Sequence, residues 1–487
     1  MPPAPGLSHA VAEWSATFPS MTDSYDVDYL VIGAGAMGMA FTDVILTETD
    51  ASVALVDRRP RPGGHWNDAY PHVRLHQPSA FYGVNSRELG TENIDAYGWN
   101  KGLSELASGT EVVAYFDQVL RQQFMATDRV QWFPLHEHQG GGDIRSIATG
   151  EVTSISARKV VDARYMNVTV PAVKAPDYEI DEGVTCIPPN GLSRPGVLPA
   201  ESFVVIGGGK TGMDACLFLI ESGVPVDDIT WIRPRDSWCL DRARIQPGTG
   251  FFEMTVGGQA KQMQAIAESS DIDDMFERLE AEGLLLRFDS EVKPTMYRCA
   301  TVSQAELEAL KTVTNVVRMG RVQRITSHEI VLDQGTIPTS PGTVHIDCSA
   351  DGLERRPIVP VFDGDRITLQ TVRTCQQVFS AAFIGHVEAA YDDEAQKNEL
   401  ATVVPHPDTD EDWIKVTLGG LLNSARWRGD EALAAWLIEA RLDAFSSIRF
   451  PQGDAIPEGH SETMALLEQH ALPAVLKLQE YAEQLEP

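Results

Sequence analysis

Two short glycine motifs, each set between a strand-like run and a helical pattern, constrain this chain of 487 residues more than any other feature. The first is Gly33-Ala-Gly35-Ala-Met-Gly38, entered from Tyr29-Leu-Val-Ile32 and followed by a helical pattern through about Leu46. The second is Gly207-Gly-Gly209-Lys210-Thr211-Gly212, entered from Phe203-Val-Val-Ile206 and followed by a helix expected over Met213 to Glu221. In such a turn the first glycine permits the tight bend, the second lets the backbone approach a pyrophosphate, and the third lets helix and strand pack closely. The amides and dipole of the helix start then face the phosphate charge. The motifs lie 174 residues apart, the spacing of a repeated fold unit and not of a solenoid.

The strand after each motif separates the two sites. Ser52 to Val56 ends in Asp57, a carboxylate that can accept both ribose hydroxyls. Asp228 to Ile232 ends in Arg233-Pro-Arg235, where guanidinium groups would pair with a ribose 2′-phosphate and an acid would repel it. Lys210 and Thr211 are placed to touch phosphate as well. The expectation is one flavin, FAD, in the first site and one nicotinamide, NADP, in the second, with electrons passing between them.

Four further passages, in this order along about 26–390, resemble the two-dinucleotide-binding flavoproteins, and among them the class B flavin monooxygenases and Baeyer–Villiger enzymes. Asp57-Arg58 through Gly64-His-Trp66 is similar to the family's acid-to-Gly-Gly-x-Trp segment, where the loop passes the flavin. Tyr70-Pro-His-Val-Arg74-Leu-His76-Gln77 resembles its Tyr-Pro-Gly-Val-Arg stretch, and Asp347-Cys-Ser-Ala-Asp351-Gly352 its Ala-Thr-Gly return from the NADP domain. Val378 to Gly385 looks like the final strand, whose glycine end faces the flavin. The resemblance implies cofactor contacts at Arg58, Gly64, Trp66, Arg74, Gln77, Asp351, Gly352 and Gly385. It also implies a catalytic role for His76, which stands where relatives carry an Asn or Asp near the flavin. Two family features are absent: the FxGxxxHxxxW/Y fingerprint of the monooxygenases, and the CxxxxC pair of the disulfide reductases.

The expected fold class is α/β, with two Rossmann-like domains and the NADP domain inserted into the FAD domain. The expected pieces are a flexible tail over 1–25, the first FAD part over 26–200, the NADPH domain over 201–340, and the second FAD part with a helical extension over 341–487. The implied activity is an FAD-dependent, NADPH-consuming monooxygenase that oxygenates a small molecule through a C4a-peroxyflavin. A flavin dehydrogenase or reductase without oxygen transfer, and a non-catalytic redox sensor, are the other readings.

Composition narrows the partners. With Lys+Arg 39 against Asp+Glu 70, the net charge is −31, which repels nucleic acid and anionic lipid, although one local basic pocket can overrule that mean. No membrane helix and no basic leader stand out, so a cytoplasmic protein is expected. The expected partners are a small-molecule substrate and molecular oxygen, with a homodimer as the candidate assembly. His136-Glu-His138 reads as a solvated loop before Gly140-Gly-Gly142, and no metal site is expected. The six Cys form no CxxC pair, and Cys239 and Cys299 read as small buried hydrophobes.

Overall fold

The computed structural model describes residues 25–198, 200–443, 445–451 and 456–485. The expected tail lies outside the described residues except for Tyr25, which already belongs to a strand. The chain enters β1 (Tyr25–Ile32), turns through the first glycine motif into α1 (Ala36–Glu48), and returns as β2 (Val53–Asp57). It adds β3 (Val130–Pro134), a hairpin of His136–Gly140 with Asp143–Ser146, and β4 (Val152–Asp162); His136–His138 is thus a strand and not the expected loop, held by its pairing with Asp143–Ser146.

A second sheet comes next. It takes β5 (Thr185–Ile187), β6 (Ser202–Ile206), α2 (Lys210–Glu221) after the second glycine motif, β7 (Ile229–Ile232), β8 (Val316–Val317) and β9 (Thr343–Asp347). The chain then rejoins the first sheet through β10 (Arg366–Thr368), beside β4. The first sheet runs β3-β2-β1-β4-β10 and the second β8-β7-β6-β9-β5, and every one of these pairings is parallel. Sheets buried on both faces read as continuous apolar runs, which is why Tyr29–Ile32 and Phe203–Ile206 stood out in sequence. The inserted sheet is wider than 201–340: β5 and β9 carry no glycine motif, so nothing local marked them as part of it.

One element differs in kind. Residues 378–385 form no strand; they lie inside α3 (Gln377–Ala390), and the last strand of the first sheet is β10. A short apolar run fits a buried helix as well as a buried strand. Helix α3 packs along α1, itself buried from Met37 to Leu46. Gly385 marks their close approach, since a Cβ there would meet Val44 Cβ at 3.2 Å and the Phe41 carbonyl at 3.3 Å.

Beyond α3 the chain is helical: a short helix Glu394–Leu400, then α4 (Asp410–Arg428), opened by a Thr409–Asp412 capping box, α5 (Glu431–Glu439), α6 (Ser446–Arg449) and α7 (His460–Gln484). The amphipathic pattern over 461–485 thus becomes α7, which lies on α4 and on the helix Gly258–Ala267 of the inserted segment. Among the described residues, no helix is long and apolar enough to cross a membrane.

Candidate dinucleotide cleft

At the first glycine turn, Gly33 has φ of +104°, a conformation that glycine adopts freely. A Cβ on Gly38 would collide with the Gly33 carbonyl, so strand and helix can close up only around glycine. Helix α1 begins at Gly35 with no capping side chain and no acid in its first turn, which leaves its leading amides for an anion. The Gly63–Gly64 loop crosses this turn: Gly63 N–H donates to the Ala34 carbonyl at 2.8 Å, and a Cβ on Gly64 would stand 2.9 Å from Gly35 Cα. Asp57 is buried at the end of β2, where one oxygen accepts the Ala34 amide (2.7 Å) and the other the Arg59 amide (2.8 Å). Burial raises its carboxyl against those two amides, and each oxygen keeps a lone pair for a ribose hydroxyl. These groups fit the pyrophosphate and ribose of FAD. Arg58 follows at the surface, and Trp66 donates its indole N–H to the Tyr82 hydroxyl at 2.7 Å.

The second turn opens onto space. Helix α2 starts at Gly209 without a side-chain cap or a first-turn acid, and a Cβ on Gly209 would meet nothing within 4 Å. The space is a cleft of about 1180 Å³, lined by Gly207, Gly209, Lys210, Thr211, Arg235 and Arg321, among others. Gly212 sits inside α2, where a Cβ would strike the Gly207 carbonyl. Lys210 pairs with Asp214, whose other oxygen accepts the Tyr70 hydroxyl at 2.6 Å, so the Tyr70-to-His76 stretch docks on α2.

The arginine pair splits. Arg233 is 2% exposed, bonded to Asp236 at 2.8 Å and held over the rings of Trp231 (4.7 Å) and Phe288 (4.8 Å). Its place is in the core, and the phosphate contact expected of it is not available. Arg235 does line the cleft. It shares Asp408 with Arg298 and Arg355, and although burial raises that carboxyl, Arg235 and Arg298 hold it far below the usual range. Arg321 also lines the cleft, with no ion pair among the described residues. Uncapped amides, open space over Gly209, and Arg235 with Arg321 fit a phosphorylated nicotinamide dinucleotide.

His76 and Gln77 line this same cleft. The His76 Nδ1 accepts the Thr301 amide at 3.3 Å, which leaves the ring proton on Nε2. Burial, with Lys210 and Arg242 nearby, drives its pKa down to about 3. His76 is therefore a neutral N–H donor, and the imidazolium that could have stabilised an anion does not form near neutral pH. Asp351 and Gly352 line the cleft too, with Asp351 ion-paired to Arg298 at 3.3 Å.

Two expected contacts fall elsewhere. Arg74 is exposed and donates to the Leu106 carbonyl (2.9 Å), because the strand-like bridge to Ser108 turns it outward. Gly385 is occupied by the α1–α3 crossing. Sequence reasoning missed a cysteine pair in the cleft wall: Cys299 and Cys375 form a disulfide, with Cα atoms 6.5 Å apart, and His406 Nδ1 lies 3.8 Å from the Cys375 sulfur. Cys299 is thus not a lone buried thiol, whereas Cys239 is free and buried as expected. No spacing rule could have paired positions separated by 76 residues.

Three comparisons bear on this geometry. The NAD(P)-binding Rossmann-like domain family matches residues 31–85, which hold the first glycine turn, α1, β2 and the Gly63–Gly64 loop. The uncharacterized protein Rv2000 of Mycobacterium tuberculosis (strain ATCC 25618 / H37Rv) is 51% identical over 438 residues, 90% of this chain and 81% of its own length. The uncharacterized protein Mb2023 of Mycobacterium bovis matches to the same extent. Among solved structures, cyclohexanone monooxygenase from Rhodococcus sp. Phi1 bound to NADP+ is similar at a TM-score of 0.47 and 13% identity, over 93% of this chain and 98% of that one. A flavin-containing monooxygenase from Stenotrophomonas maltophilia is similar at 0.42 and 15%, over 77% and 99%. A bacillithiol disulfide reductase from Bacillus cereus is similar at 0.42 and 13%, over 75% and 100%.

Proposed function

This chain belongs to the same family as the mycobacterial proteins Rv2000 and Mb2023, and we propose that it is an FAD- and NADPH-dependent oxidoreductase that oxygenates a small molecule. One observation carries the two-cofactor part of the reading: two parallel sheets, one inserted in the other, each present a glycine turn and an uncapped helix start. FAD, when bound, would supply two-electron chemistry between NADPH and an acceptor.

The chain's own residues do the rest. The amides at Gly35 and Gly209 hold pyrophosphate, and Asp57 holds the ribose of the first dinucleotide. Arg235 and Arg321 select the 2′-phosphate of the second. The Tyr70–Asp214–Lys210 chain of contacts ties α2 to the first domain, so that the two sites keep one relation to each other. His76 offers an Nε2 proton to the cleft as a hydrogen-bond donor.

A second reading, a reductase without oxygen transfer, is favoured by the Cys299–Cys375 disulfide in the cleft wall. There, a hydride equivalent from NADPH and one proton from solvent would reduce the disulfide to two thiols, leaving NADP+. One experiment separates the readings. Protein loaded with FAD is given NADPH, first without and then with oxygen, and its thiols are counted by alkylation. Oxygenation predicts that the four thiols of the oxidised protein stay four without oxygen, and that oxygen consumption yields an oxygenated product in the presence of a substrate. A rise to six thiols, or peroxide as the sole oxygen product with every substrate tried, would replace it with the reductase.

A further inference from the structure

The cleft continues past the dinucleotide turn into walls built after β10, by α4 to α7. Three arginines reach it there: Arg373 ahead of α3, Arg428 at the end of α4, and Arg449 at the end of α6. Arg373 already has its carboxylate. Its terminal nitrogens bond the buried Asp443 at 3.0 and 3.2 Å, and its guanidinium lies 3.9 Å from the Phe379 ring centroid. Arg449 donates one nitrogen to Gln259, while its Nε is buried without a partner. Arg428 has neither a hydrogen bond nor an ion pair among the described residues. The acid that lines this end, Glu468, is exposed and forms no ion pair with them among the described residues.

One buried carboxylate therefore faces three guanidinium groups. The imbalance registers on Arg449, whose pKa burial and then the charges of Arg428 and Arg373 push down to about 10, against the pull of Asp443. The wider lining repeats it: nine Lys and Arg against four Asp and Glu, in a chain where acids outnumber bases 70 to 39. Lys210, Arg235 and Arg321 answer to the dinucleotide; Arg428 and Arg449 do not. Around them stand Trp413, Trp427, Leu437, Phe445, Phe450 and Leu467, a wall for hydrocarbon. An unpaired guanidinium at the mouth, Arg428, and a more deeply set one, Arg449, beside apolar walls suit a ligand with one planar anionic head and an apolar body.

We propose that the C-terminal end of the cleft binds an organic monocarboxylate with an apolar body, its carboxylate between Arg428 and Arg449, and that such an acid is the substrate. That the acid is a substrate rests on the oxidoreductase reading; that it binds here does not. The C-terminal helices thereby close the substrate end of a cleft whose other end the two sheets provide.

The test is equilibrium binding, which needs no turnover. The full-length protein, saturated with NADP+, is titrated calorimetrically with aromatic and aliphatic monocarboxylates, such as 3-phenylpropionate and octanoate, and with their uncharged amides. At least one acid is expected to bind about tenfold or more tightly than its amide, as a charge-assisted pair requires. Arg428→Gln, a change at an exposed and unpaired side chain, should erase that difference and leave the melting temperature and NADP+ affinity unaltered. No binding by any acid, equal affinity for acid and amide, unchanged binding by Arg428→Gln, or inorganic phosphate binding as well as the acid would each overturn the proposal. Flavin content and NADPH oxidation, measured on the same samples, report separately on the oxidoreductase reading.

Discussion

At the scale of single residues, charge beside a glycine motif was legible and its neighbours were not. Arg233 and Arg235 are two positions apart in sequence, yet one sits between Trp231 and Phe288 and the other in the cleft wall. Nothing local distinguishes them, because the ring of Phe288 arrives from a distant segment. Arg235→Ala should raise the NADPH requirement about tenfold or more with little change for NADH, the loss of one charge-assisted contact. Arg233→Ala should instead lower the melting temperature, by the equivalent of about 2 kcal/mol or more, and leave nucleotide preference alone. Steady-state kinetics with both nucleotides and a thermal melt check the pair; reversed effects would return Arg233 to the phosphate.

His76 makes a pH prediction at the same scale. Above the ordinary histidine pKa it is neutral both folded and unfolded, so it takes nothing from stability there. As pH falls, the unfolded chain takes up a proton that the folded protein refuses until about pH 3. Stability is thus full above about pH 6.5 and declines below it, by up to about 1.4 kcal/mol per pH unit for one such group. His72 and His406, both driven down to about 4 by burial, act in the same direction. Melting temperature should fall steadily between about pH 6 and about pH 4, and His76→Asn should flatten the slope. A slope identical to the wild type would mean that His76 titrates normally.

At the scale of elements, the strands and helices flanking the glycine turns were legible because strand, bend and helix each left its own mark. The run Val378–Gly385 was not, since so short and largely apolar a stretch carries no period that separates a buried helix from a buried strand. Only the contact with α1 decides it, and that contact is tertiary. Its tightest point gives a prediction. Gly385→Leu must push apart Val44 and the Phe41 backbone, and should destabilise the protein by about 1–3 kcal/mol, read as a lower denaturation midpoint. Were residue 385 at a strand end facing a flavin, the same change would release the cofactor at unchanged stability.

At the scale of the molecule, insertion of one dinucleotide sheet within another followed from two motifs and the return passage after the second. The edges of the insertion did not, because β5 and β9 join the second sheet by pairing and not by any signature. The C-terminal helices matched no motif, yet they supply Arg428 and Arg449 to the cleft, and Asp408, just ahead of α4, pairs with Arg235 in its wall. A net charge of −31 gave no hint of so basic an interior surface, since composition averages over places that function keeps apart.

The proposed function requires that one chain hold FAD at the first glycine turn and draw electrons to it from NADPH at the second. Anaerobic mixing of the purified protein with NADPH, followed through the visible absorbance of the flavin, tests it most directly. The purified protein should be yellow, release stoichiometric FAD on denaturation, bleach on NADPH addition, and do so more slowly with NADH. A colourless protein that takes up no FAD when supplied with it, or a bound flavin that NADPH leaves oxidised, would contradict it.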